Sequence, residues 1–196
     1  MYSMKERARK IQEFCIAQNT ANPFQIFRAA AEQEFIRIHG PEHHILDGAC
    51  ILTAFRNAGG KIDLKEALAK LTDQGMQMPG AICGFWGVCG SVTSIGAALA
   101  IIDGTGPLTS DSTWGDHMKF TSDALAVMSD VGGPRCCKRN ALISMGEAVD
   151  YINAAYHLRL EQEQVVCHFS HKNEQCIRSK CPFFHGQQDL VLRQTF

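Results

Sequence analysis

MPGAICGFWGVCG, residues 78–90, places Cys83 and Cys89 in a glycine-rich loop that runs straight into the small-residue segment 91–103. Ser91, Ser94, Gly96, Ala97, Ala98 and Ala100 predict a thin helix there, suited to tight packing at the centre of a helical domain. Thiols at the start of a helix face unpaired N–H groups and the positive end of the dipole. Their pKa values are therefore expected to fall, favouring thiolate, the reactive and metal-binding form. Gly84, Gly87 and Gly90 allow close approach of a ligand or a neighbouring helix, and Phe85 and Trp86 are placed to shield the site from water. The competing reading is a packed loop with structural cysteines. A second stretch, GGPRCCKR at residues 132–139, repeats the design, with glycines, a proline and then Cys136 and Cys137 in an opening helical turn. Adjacent cysteines rarely bridge to each other because the ring is strained, but each can offer a thiolate to a metal, a cluster or a redox partner. Arg135, Lys138 and Arg139 stand beside them, either to lower their pKa values or to meet an anionic substrate. The two loops are expected to meet.

Composition narrows the function. A chain of 196 residues with 45% hydrophobic content supports one well-buried domain and a small appendage. A net charge of −1 gives no global attraction to nucleic acid or to an anionic membrane. The longest mostly apolar run, around residues 95–102, falls far short of the roughly 18 residues that a membrane-spanning helix needs. MYSMKERARKIQEF at the start lacks the apolar core of a secretory signal and carries Ser3 and Glu6 at capping-box spacing, so a cytoplasmic protein is expected. In that setting nine cysteines point to metal or redox chemistry rather than disulfides. No Walker or dinucleotide fingerprint is present.

The chain reads as almost wholly helical. Helices are predicted over residues 4–18, 23–38, 41–57, 64–74, 91–103, 116–130 and 136–164, an all-α domain of about seven helices. Phe24, Phe27, Ala31, Phe35 and Ile38 follow three-and-four spacing and form a core stripe. HGPEHHILDGAC, residues 39–50, is less ordinary. On its helix His43, Asp47 and Cys50 share one face, polar where a core face should be apolar, with His44 to the side. An imidazole needs its second nitrogen held, and a carboxylate one turn away does this, so His43 with Asp47 is a candidate pair beside a metal. The alternative is that the histidines cap the helix or face water. His117, isolated in a polar stretch, reads as a surface histidine.

The C-terminal piece carries the most specific spacing. Cys167, Cys176, Cys181 and His185 form C-x8-C-x4-C-x3-H in a segment too short and polar to bury a core of its own, so a tetrahedral zinc would supply its folding energy. The expected organisation is a helical domain, 1–164, and a zinc-binding knuckle with a tail, 165–196. Residues 167–185 resemble a CCCH-type zinc finger. That resemblance implies single-stranded RNA as a partner, with Phe169, Phe183 and Phe184 stacking bases and Lys172, Arg178 and Lys180 meeting phosphates. The short spacing between the last two cysteines and the lack of a tandem copy depart from the pattern. His168 and His171 are rival donors to His185, and a three-cysteine cluster site is also open.

The body, through HGPEHHILDGA, CGFWGVCGS, IIDGTGPL and GGPRCCKR, resembles an uncharacterised cysteine-rich prokaryotic family, a domain of unknown function associated with anaerobes and with occasional fusion to methyltransferase or radical-SAM modules. CGFWGVCGSVTSIGAALAIIDG is more faintly similar to the redox-associated family named for its C-GCAxxG-C-C pattern, whose first cysteine would fall where this chain has His43 or His44. These resemblances imply thiol, metal or cluster chemistry and redox, methyltransferase or radical-SAM partners. Two readings follow. In one, Cys83, Cys89, Cys136 and Cys137, with His43 or His44, form the reactive site of a redox or sulfur-handling protein around an iron–sulfur cluster, a soft metal or a dithiol, and zinc clamps the C-terminus. In the other, the chain is a noncatalytic module whose finger binds RNA or a protein.

Overall fold

A computed structural model describes residues 2–184, and these are all-helical, with no strand. The helices are α1 (Met4–Ile16), α2 (Pro23–Ala31), α3 (His43–Asn57), α4 (Leu64–Met76), α5 (Ile82–Phe85), α6 (Gly90–Asp103), α7 (Ser112–Val131) and α8 (Cys137–Tyr156). Their starts follow local chemistry. Ser3 and Glu6 form the reciprocal capping box of α1. Asn22 caps α2 ahead of Pro23, and Asp63 caps α4 through the Glu66 amide.

Helix α3 is the axis of the molecule. Every residue from His43 to Phe55 is buried, because α1, α2, α4, α6 and α8 all pack around it. Its most extensive partner is α6, the thin helix, and α7 and α8 close the far side of α6. Gly48 of α3 sits against Ser94 of α6, whose hydroxyl accepts a bond from the Gly48 amide at 2.9 Å. No helix among the described residues is long and apolar enough to cross a membrane.

Several boundaries differ from the sequence expectation, each for a tertiary reason. Helix α2 stops at Ala31 rather than residue 38, and the chain turns so that Phe35 and Ile36 are buried. The Phe35 carbonyl, which a continuing helix would use, accepts instead from the Arg7 guanidinium. Helix α8 stops at Tyr156 rather than 164. His157 takes a left-handed conformation at φ 53°, and Asn153 then holds Leu160 through both its backbone amide, at 2.7 Å, and its carbonyl, at 3.1 Å. Asp111 starts α7 four residues earlier than expected, at Ser112. His117 is not a surface residue: it is buried, with Nε2 2.8 Å from Asp103, whose same oxygen accepts from the Tyr156 hydroxyl at 2.8 Å.

After α8 the described residues hold two single turns of 3-10 helix, at Ser170–Lys172 and Arg178–Lys180. Phe169, Cys181 and Phe183 nevertheless join the helical core. The Cys167 amide donates to the Phe183 carbonyl at 2.7 Å, closing the segment on itself.

Candidate metal and thiol centre

The two glycine-rich loops and the start of α3 enclose one cavity of about 270 Å³. Cys83, Cys89, Cys136, Cys137, His43 and His44 all line it, together with Arg37, His39, Arg135 and Asn140. Four separate stretches supply these walls, and α3 and α6 bring them together because their crossing sets the α6 start against the α3 start. A Cβ on Gly90 would overlap the His44 ring, so this glycine is what lets the imidazole lie on the first turn of α6. Gly90→Ala is therefore expected to displace the His44 ring and cost about 1–3 kcal/mol through overpacking. Urea unfolding checks this: an unchanged midpoint would mean that the ring seat is not as tight as it is drawn.

The two histidines differ. His43 Nδ1 lies 3.1 Å from Asp47, and its Nε2 lies 3.2 Å from Lys138 Nζ and 3.4 Å from the Arg37 carbonyl, so both nitrogens are engaged within the protein. The expected His43–Asp47 pair is present, as a positioning network rather than an open donor. His44 is 7% exposed, and its Nδ1 is buried without a hydrogen-bond partner. Burial lowers the His44 pKa, against the pull of Asp47, which keeps the imidazole neutral and its lone pair available. Cys50 does not share this site. It is fully buried against Cys15, away from the cavity, and acts as core.

The expected fall in thiol pKa does not hold at Cys89 and Cys137. Burial raises Cys89, against the Asn140 amide, 3.2 Å from its sulfur, and the Ser91 and Val92 amides. Burial likewise pushes Cys137 up to about 12. Helix starts favour thiolate, but here loss of water outweighs them.

Sequence reasoning took Lys138 only as a charge beside the thiols and gave Asn140, His39 and Asn173 no role. Lys138 is 1% exposed, donates to the Arg37 carbonyl at 3.0 Å, and has its ammonium 5.7 Å from the Phe27 ring centre and 5.2 Å from that of Phe169. Burial lowers its pKa to about 8. Asn173, on the C-terminal segment, contacts His39 Nε2 at 3.0 Å and Cys136 Sγ at 3.5 Å, tying that segment to the cavity wall. Each of these roles is invisible locally because the partner comes from a distant stretch of the chain.

The C-terminal cysteines meet elsewhere. Cys167, Cys176 and Cys181 line a second void of about 20 Å³, and Cys136 lines it too. His168 and His171 are exposed and do not line it, and His185 lies outside the described residues. Among the described residues no three His, Cys, Asp or Glu side chains stand close enough together to hold a metal ion as placed. Phe169 and Phe183 turn into the core, so neither presents a face on which an RNA base could stack, although Lys172, Arg178 and Lys180 are exposed.

No curated protein and no solved structure matches the chain. A family model matches residues 11–184, a stretch that holds both voids and every cysteine, so the chain belongs to a family of unknown function, DUF5714.

Proposed function

We propose that the cavity of about 270 Å³ is the centre of a redox or sulfur-handling protein, built to hold an iron–sulfur cluster or another soft metal. The observation that carries this is the gathering of four thiols and one imidazole, that of His44, whose Nδ1 is buried without a partner, on a single cavity of about 270 Å³. The donor set is soft, which suits iron–sulfur clusters, zinc or cuprous ions and not hard cations. The thiols do not converge on a point as placed, so binding would draw Cys83, Cys89, Cys137 and His44 inward. Such a group would supply electron transfer or an open coordination position for a sulfur-bearing substrate.

The chain's own residues do the rest. Asn140 donates to the Cys89 sulfur, the kind of bond that tunes a ligating thiolate. Arg135 lines the same cavity and offers charge to an anionic ligand, while the Arg37 guanidinium is paired with Glu42. Lys138 and Asp47 hold His43, and with it the α3 start, in one orientation. The C-terminal cysteines are read as a separate structural zinc site. A partner that exchanges electrons or a sulfur-bearing substrate, of the redox, methyltransferase or radical-SAM kind, fits this reading. RNA binding has less support, because two of its three stacking rings are buried.

Metal and acid-labile sulfide content test the proposal, measured on protein purified without oxygen and reconstituted with ferrous iron and sulfide, zinc or cuprous ion. Wild type is expected to hold a soft metal or cluster beyond the C-terminal zinc, and Cys83→Ala/Cys89→Ala to lose it while keeping the zinc. Equal metal uptake by the two proteins would overturn the reading.

A further inference from the structure

We propose that Cys136, at the start of α8, is the fourth ligand of the C-terminal zinc site, which is then a four-cysteine site of Cys136, Cys167, Cys176 and Cys181. This rests on reading the C-terminal cysteines as a zinc site, and leaves Cys83, Cys89, Cys137 and His44 to the cavity of about 270 Å³.

All four thiols line the same small void. At about 20 Å³ it has room for about one atom-sized sphere, which suits a single ion and is too small for a cluster. Each sulfur is also met by a backbone amide. The Phe169 amide donates to Cys167 and the Arg178 amide to Cys176, both at 3.4 Å, and the Phe183 amide faces Cys181. In all three the donor lies two residues beyond the cysteine, and at Cys176 the turn is made by Arg178 in the left-handed region at φ 53°. Such donors stabilise negative sulfur, the form a metal requires.

Cys136 receives the same treatment from a different element. It occupies the cap position of α8, where its sulfur accepts from the Arg139 amide at 3.4 Å in the place an Asp or Ser oxygen would normally take. Asn173, from the C-terminal segment, adds a second donor at 3.5 Å. Four thiolates around a divalent ion leave a net charge of about −2, and two cations line the void to balance it, Lys138 and Arg139. The two candidate histidines among the described residues, His168 and His171, are exposed and do not line the void. The thiols surround the void without converging, so the arriving ion is what pulls them together, and with them the C-terminal segment onto α8.

Zinc K-edge absorption on the wild-type full chain tests this, with only the C-terminal site loaded. Four sulfurs at about 2.3 Å are expected, and three sulfurs with a nitrogen at about 2.0–2.1 Å would overturn the assignment of Cys136 while leaving a zinc site at the C-terminus. Absence of zinc after reconstitution would instead sink the zinc reading itself, and the inference with it. Chelator competition gives the second measurement. Cys136→Ser is expected to weaken zinc binding on the order of 100-fold or more, with Cys137→Ser and His185→Ala close to wild type. A loss confined to His185→Ala would overturn the inference.

Discussion

Gly48→Ala is expected to lower stability by about 2–3 kcal/mol, which for a chain of this size is a fall in Tm of about 5–10 °C. A Cβ at this position would collide with the Ser94 backbone carbonyl and lie 2.9 Å from the Ser94 hydroxyl oxygen. Neither side can give way easily, because α3 is enclosed by five other helices and Ser94 is fully buried. The substitution gains about 1 kcal/mol of helix propensity, so the collision is measured against that gain. Gly146→Ala on α8 separates the two effects: its Cβ would meet nothing within 4 Å, and this variant should be as stable as wild type or up to about 1 kcal/mol more so. Thermal unfolding of the pair decides it. If the two variants shift Tm alike, the α3–α6 crossing is not as close as its glycine requires.

Glu42→Gln is expected to cost about 2–4 kcal/mol at neutral pH, because it removes a buried carboxylate from the buried guanidinium of Arg7 and the half-exposed one of Arg37. Glu42 has no exposed side-chain surface. It accepts from the Arg37 amide at 2.8 Å and from the Arg37 guanidinium at 2.5 and 3.0 Å, with Arg7 at 3.9 Å. Burial alone would raise its pKa, but the Arg37 side chain and the Arg37 and Glu42 amides outweigh burial and hold it at about 2. A carboxyl depressed in the folded state from 4.5 to about 2 stabilises the fold above pH 4.5. That contribution, at most about 3 kcal/mol, is lost as pH falls toward 2. Urea unfolding at pH 3, 5 and 7 should therefore show wild type losing more stability than the variant between pH 5 and 3. Parallel curves for the two proteins would mean that Glu42 is not the group responsible.

Much of this architecture is written locally. The capping box at Ser3 and Glu6, the thin α6 helix and the His43–Asp47 pair are each local to one helix, and all appear where their spacing predicts. The meeting of the two cysteine loops was legible because both loops precede helices and carry the same chemistry. What escaped was set at a distance. The ends of α2 and α8 depend on Arg7 reaching Phe35 and on Asn153 turning back to Leu160, and no periodicity encodes either contact. The acidity of Cys137 was misjudged for a related reason. A helix start is visible in sequence, whereas the burial that overrides it belongs to the whole fold. The same holds for Cys136 and Cys137, which read as a pair and divide between two chambers, with Cys136 alone lining both.

That division has a thermodynamic consequence. One peptide unit joins a wall of the cavity to a wall of the smaller void, so an occupant of either chamber would bear on the backbone that shapes the other. Linkage makes such a bias reciprocal: if filling the small void tightens the cavity's hold on its ligand by some factor, that ligand must tighten the ion's hold by the same factor. Were both chambers to hold their proposed occupants, the apparent affinity for either would depend on the other, and a value measured with one chamber empty would be a lower limit wherever the two favour the same backbone state.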